Sequence, residues 1–103
     1  MAMMEISVVP LGTGSTSLSH YVAEAVRVLE QAGLEYEVGP MSTVVVGDVE
    51  RLLALARQMH ERPFALGARR VATTIRIDDR RDKPLSIRGK VQAVQEKLQN
   101  RPR

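Results

Sequence analysis

Alternating apolar and polar residues predict four β-strands, at residues 5–9, 34–38, 42–46 and 71–78. Strand 5–9 has an apolar register on one face and a mixed register on the other, and strand 71–78 shows the same division. The mixed registers are Glu5, Ser7 and Val9 in the first strand and Thr74, Arg76 and Asp78 in the last. The Gly39-Pro40 pair separates the second and third strands, which are therefore predicted to form a hairpin.

Apolar residues spaced three and four positions apart predict three helices. Their apolar stripes are Leu18, Val22, Ala25 and Leu29; Leu52, Leu55, Ala56 and Met59; and Ile87, Val91, Val94 and Leu98. Ser17, Asp48 and Ser86 precede the three stripes and are predicted N-caps. Gly33 is expected to end the first helix, and Pro63 is expected to kink or end the second.

The elements follow the order β-α-β-β-α-β-α, which is typical of an α+β ferredoxin-like fold with an additional C-terminal helix. Right-handed crossovers place the first strand beside the third, and the fourth beside the first. Two helices then cover one face of the sheet. The mixed registers lie on the other face and suit an oligomer interface or a ligand shelf. An antiparallel sheet with one wet face is the alternative.

The composition predicts one small globular domain, residues 1–103. Apolar residues make up 44% of the chain and aromatic residues 3%, so the core must be aliphatic. There is no cysteine, which excludes disulfides, thiolate metal sites and cysteine nucleophiles. The N-terminus is unlike a signal peptide, and no apolar run approaches about 20 residues. These features predict a cytoplasmic protein with no membrane partner.

A net charge of +3 and an isoelectric point of about 9.8 indicate a mild basic bias. Much of it comes from residues 69–90 and the tail 101–103, and aspartates are interleaved in the first of these segments. Asp78, for example, is expected to pair with Arg76 or Arg80. A solvated, salt-bridged surface explains this pattern better than a nucleic-acid patch. The first and third strands also lack the aromatic residues on which RNA bases stack, so no specific nucleic-acid partner is expected.

The polar residues do not form a recognisable catalytic or metal-binding set. His20 and His60 lie within predicted helices, without an oriented nucleophile or clustered carboxylates. Asp78 and Asp79 are adjacent at a strand end, so their side chains point to opposite faces of the sheet. The chain is therefore predicted not to be an enzyme, and no metal or cofactor is expected.

Residues 12–17, Gly-Thr-Gly-Ser-Thr-Ser, form a predicted loop immediately before the first helix. A phosphate-binding P-loop needs a lysine after its last glycine, and this loop has none. Its four hydroxyl groups and the following helix N-terminus suit a small polar or anionic group. An ordinary turn followed by an N-cap is the alternative reading.

Four segments of the chain occur in a recognisable order: VVPLGTGSTSLS at residues 8–19, YEVGPM at 36–41, MHE at 59–61 and TTIRIDDRRD at 73–82. Together with Tyr21-Val22, they resemble the small thiamine-binding protein family, long described as uncharacterised conserved proteins. One departure is Gly14, where some members have a cysteine. The resemblance implies a ferredoxin-like protomer, dimers through the sheets and commonly a tetramer. It also implies binding of thiamine or its hydroxymethylpyrimidine half without catalysis.

Thiamine has a planar aminopyrimidine, a cationic thiazolium and a hydroxyethyl tail, and the chain has residues suited to each. Glu5 and Glu37 are candidate carboxylates for the cation, and Glu37 is preferred because it precedes the hairpin turn. The other candidate ligand residues are Val9, Tyr36 and Met41 as walls, and Ser7, Thr13, Ser15, Thr16, Ser17 and Thr43 as polar contacts.

These residues lead us to expect a homo-oligomeric carrier or sensor of thiamine or its pyrimidine precursor. Its partners would be a small molecule and further copies of the same chain, as a homodimer or homotetramer. A structural or regulatory oligomer that binds another protein through its sheet face is the first alternative. An enzyme acting on a small metabolite is the second.

Overall fold

The predicted order of four strands and three helices is confirmed by a computed structural model, which describes residues 1–100. The elements are β1 (Ala2–Pro10), α1 (Ser19–Ala32), β2 (Tyr36–Val38), β3 (Thr43–Gly47), α2 (Val49–Ala65), β4 (Val71–Asp79) and α3 (Ile87–Gln99). The basic tail at residues 101–103 lies outside the described residues. Within residues 1–100, no helix is both long and apolar enough to cross a membrane.

The four strands form one antiparallel sheet in the order β2-β3-β1-β4, as the crossover rules predict. β1 pairs with β4 along its whole length, from Ala2 opposite Asp79 to Pro10 opposite Val71. Its pairing with β3 is shorter and ends where Ile6 faces Thr43. This difference in length leaves the last part of β1 with a neighbour on one side only.

The hydrophobic core lies between the sheet and the pair α1 and α2. Met4 and Ile6, from the apolar register of β1, are almost fully buried there. The stripe predicted for α2 is confirmed, since all four of its residues are buried. In α1, Ala25 and Leu29 are buried, whereas Val22 is 39% exposed. α1 therefore packs tightly near its C-terminal end and leaves space beneath its N-terminal end.

The predicted boundaries at Gly33 and Ser86 are confirmed, and the one at Ser17 is wrong. Gly33 ends α1 in the left-handed conformation, with φ of 71°. Ser86 caps α3, because its Oγ accepts a hydrogen bond from the Gly89 N–H at 2.9 Å. Ser17 is not the cap of α1, which begins after Leu18, because Ser17 belongs to a local turn in which its N–H donates to the Ser15 Oγ.

The second helix begins at the predicted residue and continues past Pro63. Asp48 occupies the N-cap position of α2, but its side chain accepts no capping hydrogen bond. Pro63 does not end the helix, which continues to Ala65 with Pro63 buried inside it. The chain leaves the helix only after Leu66, where the Ala68 N–H donates to the Pro63 carbonyl at 3.0 Å. The residues after Pro63 thus form the last turn of α2.

The second sheet face is covered at one end by the segment that leads into α3. Leu85 and Val46 are buried there, at 5% and 3% exposure, outside the main core cluster. Lys90 forms an ion pair with Asp78. The predicted pairing of Asp78 with a neighbouring arginine is therefore wrong, because the first turns of α3 bring a lysine closer.

Beyond its first turns, α3 extends away from the rest of the protein. No residue of the helix is buried, and Val91, Val94 and Leu98 are 52%, 61% and 65% exposed. The radius of gyration is 15.8 Å and the principal extents are 53 × 32 × 19 Å. A compact chain of this length has a radius of about 13 Å. The apolar stripe of α3 is thus present, but most of it packs against nothing within residues 1–100.

Candidate functional site

A cavity of about 160 Å³ opens beside the last part of β1, between α1 and the turn that joins β2 to β3. It is lined by residues 6–9 of β1, by Leu18, Val22, Ala25 and Val26 at the start of α1, by residues 39–42 of the turn, and by Thr43 and Met59. We call it the β1 cavity. It is the space left beneath the loosely packed N-terminal part of α1.

The lengths of the strands explain why the β1 cavity forms at this position. β3 begins at Thr43, which faces Ile6, so residues 7–10 of β1 extend past the start of β3. The turn before β3 closes tightly, since the Gly39 N–H donates to the Ser42 carbonyl at 2.9 Å. The chain therefore turns back before it can pair with Val8, and a gap remains at the edge of β1.

The side chains around the β1 cavity are aliphatic, thioether or hydroxyl groups. Met59 forms part of the wall and is buried, while Met41 stands in the turn and is 86% exposed. Ser7, Ser42 and Thr43 supply the hydroxyl groups. A lining of apolar walls with a few polar groups is typical of small-molecule sites. No charged residue is among those that line it.

Charged residues lie just outside the β1 cavity, on the face of the sheet opposite the core. One row across the sheet holds Glu37, Val44, Glu5 and Arg76, in that order. The Ser42 hydroxyl donates a hydrogen bond to the Glu5 carboxylate at 3.1 Å, and Arg76 lies 3.6 Å from the same carboxylate. The Ser42–Glu5 contact links the cavity wall to the charged row.

The loop before α1 forms a second, more open concavity of about 550 Å³, which shares Val9 and Leu18 with the β1 cavity. Two of its hydroxyl groups bond within the loop. The Thr13 Oγ1 donates to the Ser15 carbonyl at 3.2 Å, and the Ser15 Oγ accepts from the Ser17 N–H at 3.1 Å. The hydroxyls at these two residues therefore hold the loop in shape.

The structure distributes the eleven predicted ligand residues over several places. Four line the β1 cavity (Ser7, Val9, Met41 and Thr43), and Thr13, Ser15 and Thr16 line the loop concavity together with Val9. Glu5 and Glu37 lie on the opposite sheet face, Tyr36 packs against the core cluster, and Ser17 lies in the loop outside both linings. The predicted residues thus surround one end of the protein without sharing a single cavity.

Several residues of the β1 cavity were absent from the sequence prediction. Val8 was assigned to the core register, and Leu18, Val22 and Met59 were assigned to helix stripes. The available signal was the combination of an apolar helix start with a strand that runs on to a proline. That signal indicates that the helix packs against the strand. Only the relative lengths of β1 and β3 show that this packing is incomplete.

The titratable groups with shifted pKa values lie away from the β1 cavity, at the end of β4. Hydrogen bonds from the Arg80 guanidinium lower the pKa of Asp82 to about 2, and Arg81 lowers the pKa of Asp79 in the same way. In residues 1–100 there is no group of three His, Cys, Asp or Glu side chains arranged to hold a metal ion. These pairs stabilise the charged segment after β4.

Comparison with known proteins gives a consistent set of matches. The family model described as Thiamine-binding protein matches residues 4–95. The UPF0045 protein YqgV of Bacillus subtilis is 40% identical, with 96% of this chain and 99% of the relative covered. A UPF0045 protein of Methanothermobacter thermautotrophicus is 43% identical, with 95% and 100% covered.

Solved structures show the same architecture. The protein MJ1052 of Methanocaldococcus jannaschii superposes with a TM-score of 0.83 at 34% identity, over 92% of this chain and 96% of that one. A Thermotoga maritima protein proposed to act in thiamine biosynthesis or salvage, TM0486, superposes with a TM-score of 0.73 at 26% identity, over 90% and 97%. These neighbours confirm the ferredoxin-like fold.

Proposed function

Because the chain belongs to the thiamine-binding protein family, we propose that it binds thiamine or the hydroxymethylpyrimidine half of thiamine. The observation that carries this function is the β1 cavity, with its neutral lining beside the hairpin turn at residues 39–42. The likeness to a neighbour proposed to act in thiamine biosynthesis or salvage supports a thiamine-related role. The role we propose is binding without chemical conversion, as in a carrier or a sensor.

The size of the β1 cavity favours one ring of the ligand over both. Its volume is about 160 Å³, and an apolar cavity of about 150 Å³ holds one benzene ring. Sites for larger ligands typically measure about 300–1,000 Å³. Since the lining carries no charge that could balance a cation, the neutral pyrimidine enters and the thiazolium stays at the mouth.

A carboxylate would balance the thiazolium charge, and the charged row across the sheet contains two candidates, Glu5 and Glu37. Glu5 already interacts with Arg76 and accepts a hydrogen bond from Ser42. Glu37 is exposed, and within residues 1–100 it has no ion-pair partner. We therefore assign the charge-pairing role to Glu37. The loop hydroxyls of Thr13, Ser15, Thr16 and Ser17, with Tyr36 at the sheet edge, are proposed contacts for ligand groups outside the cavity.

Titration calorimetry with thiamine and with hydroxymethylpyrimidine tests the function directly. We expect micromolar binding, about 8 kcal/mol at 1 μM. The variant Glu37→Gln should weaken thiamine more than hydroxymethylpyrimidine, because only thiamine carries a fixed positive charge. Glu61→Gln, the same change on an exposed position of α2, is the control and should leave both affinities unaltered.

The possible outcomes of this titration have distinct meanings. Equal weakening of both ligands by Glu37→Gln would reject the charge-pairing role. No heat and no thermal shift with either ligand would reject thiamine binding. Mass spectrometry of the ligand recovered after incubation tests the absence of conversion, since we expect it to be unchanged and a new product would indicate an enzyme.

A homodimer or homotetramer is the second part of the proposed function, and the exposed stripe of α3 supports it. Val91, Val94 and Leu98 are more than half exposed on one helix face, a costly arrangement for a protomer alone in water. The sheet face also presents Val9 and Val44 among polar residues. A structural or regulatory oligomer would use the same surfaces and is the alternative function.

Sedimentation velocity at micromolar concentration measures the assembly. We expect a dimer or tetramer for the native chain and a shift toward monomer for Val94→Lys, because the lysine places a charge within the apolar stripe. Gln95→Lys introduces the same residue one position away and is the control. A monomeric native chain at this concentration would contradict the proposed assembly.

A further inference from the structure

The edge of β1 that borders the β1 cavity has main-chain groups pointing toward the gap. In an antiparallel sheet, successive residues of a strand direct their N–H and C=O groups alternately to the two neighbouring strands. The Leu11 N–H donates to the Arg70 carbonyl at 2.8 Å, on the β4 side. The odd-numbered residues of β1 therefore bond to β4, and the even-numbered ones face the β3 side.

An independent hydrogen bond gives the same assignment. The Val46 N–H donates to the Glu35 carbonyl at 2.9 Å, so the even-numbered residues of β3 bond toward β2. The odd-numbered ones then face β1, where Thr43 is opposite Ile6 and Val45 is opposite Met4. Val8 is the next even-numbered residue of β1 after Ile6, and β3 has no residue opposite it. Its N–H and C=O therefore point into the gap.

The ladder between β1 and β3 ends at Ile6 and does not reach Val8. Within residues 1–100, no other backbone group bonds to the Val8 N–H or C=O. In a complete sheet, Val8 would exchange two hydrogen bonds with a facing residue. Val8 thus presents a donor and an acceptor side by side, as each residue of a hydrogen-bonded pair does to the residue opposite it. Backbone groups that are partly removed from water strongly favour finding partners.

The hydroxyl of Thr43 adds a third polar group to the same space. Thr43 is 6% exposed and lines the β1 cavity. Its hydroxyl has no hydrogen-bond partner among the described side-chain contacts of residues 1–100. In that part of the chain, no side-chain nitrogen or oxygen is fully buried without a hydrogen bond. The Thr43 hydroxyl must therefore keep some accessible surface, which the cavity provides.

A planar ring with an amino group beside a ring nitrogen matches this arrangement. The ring nitrogen accepts from the Val8 N–H while the amino group donates to the Val8 C=O, just as a facing residue would. The aliphatic walls from α1 and β1 then cover the two faces of the ring. The 4-amino group and adjacent nitrogen of the thiamine pyrimidine form such a pair.

Resting on the proposed function, we propose that the main chain of Val8 recognises the 4-amino edge of the pyrimidine, with the Thr43 hydroxyl as an additional contact. The specificity of the β1 cavity is then for an amino-substituted heterocycle, whatever group is attached to it outside. The recognition depends on strand geometry, so the identity of the side chain at position 8 matters only for packing.

Three ligands test this by titration calorimetry with the native chain. Oxythiamine replaces the 4-amino group by a carbonyl oxygen and protonates the adjacent nitrogen, which reverses both hydrogen bonds. Pyrithiamine keeps the aminopyrimidine and replaces the thiazolium by a pyridinium. We expect thiamine and pyrithiamine to bind with similar affinity and oxythiamine at least about 100-fold more weakly, because the reversed groups leave Val8 unpaired.

The variant Thr43→Val tests the third contact, since it removes the hydroxyl and keeps the shape of the side chain. We expect thiamine to bind about tenfold more weakly, with an unfolding temperature no lower than that of the native chain. Thr74→Val, on an exposed position of β4, is the control and should change neither quantity. Unchanged thiamine affinity in Thr43→Val would overturn the role of the hydroxyl.

The ligand comparison separates failure of this inference from failure of the proposed function. Oxythiamine binding as tightly as thiamine would overturn recognition by Val8 while leaving thiamine binding intact. Binding of none of the three ligands would reject the proposed function itself. The comparison needs no variant, so it does not depend on whether a substitution folds.

Discussion

Adjacent leucines in α2 have opposite environments, which allows a matched test of the fold. Leu52 is fully buried in the core cluster, whereas Leu53 is 48% exposed on the outer side of the helix. Leu52→Ala should destabilise the protein by about 3–5 kcal/mol, because it removes buried carbon atoms and leaves a cavity. Typical domains have a total stability of about 5–15 kcal/mol, so this loss is large.

The same substitution at Leu53 should cost less than about 1 kcal/mol. Full burial of a leucine stabilises by about 1.5–3 kcal/mol, and Leu53 has only part of that to lose. Alanine also has the higher helix propensity, which offsets some of the loss. The two variants change the same atoms on neighbouring residues, so the difference between them isolates burial.

Urea unfolding followed by circular dichroism measures both free energies, with the slope m checked for constancy. A loss of 3 kcal/mol should lower the unfolding temperature by roughly 12–24 °C for a domain of this size. The measurement is repeated at several protein concentrations, because assembly would add to the apparent stability. A cost below about 1 kcal/mol for Leu52→Ala would refute the assigned register of α2. Equal costs at both positions would show that the outer side of the helix is covered.

Two further substitutions test a helix end and an ion pair. Gly33→Ala should destabilise the protein by about 1–2 kcal/mol in urea unfolding, because alanine is strained at a φ of 71°. No atom lies close enough to clash with the added Cβ, so the backbone conformation is the whole cause. No loss of stability would contradict the left-handed conformation. Arg80→Gln should raise the pKa of Asp82 from about 2 toward 3.8 in an NMR pH titration. Because the folded-state pKa is lowered, the Arg80–Asp82 pair stabilises the fold above the unfolded pKa and ceases to do so as the pH falls toward 2. A pKa unchanged by the substitution would contradict the pairing.

The fold could be predicted because its two periodic signals agree with each other. The alternation in β1 and β4 and the stripe of α2 specify which side of each element is buried. The hairpin and the crossover rules then leave one strand order. Local signals were less reliable: Ser17 has the residue type of a cap, but the loop uses its N–H in a turn with Ser15.

The packing of α3 could not be predicted from its stripe. Val91, Val94 and Leu98 have the same spacing as the buried stripe of α2, yet they are exposed. Periodicity shows that a helix has an apolar face, and it does not show what covers that face. The Asp78–Lys90 pair could not be predicted for a similar reason, since only the folded chain brings the start of α3 to the end of β4.

The candidate site was predictable in part, for a reason that follows from the sheet register. Ser7, Val9, Met41 and Thr43 were identified by residue type and do line the β1 cavity. The position of the gap depends on where β3 begins relative to β1, which is a property of tertiary pairing. Val8 has an ordinary apolar side chain, so its unpaired main-chain groups give no signal in the sequence.

The charges around the β1 cavity offer a separate environment to each half of the proposed ligand: an uncharged one for the pyrimidine and a charged one for the thiazolium. The lining at residues 6–9 and in α1 is uncharged, whereas Glu5, Arg76 and Glu37 stand in one row on the opposite face. A neutral pyrimidine bound at the edge of β1 would place its substituent at the hairpin turn, between these environments. The Ser42 hydroxyl, which lines the cavity and donates to Glu5, joins them directly. Because Glu5 already interacts with Arg76, we propose that Glu37 is the carboxylate that attracts a cation at that turn.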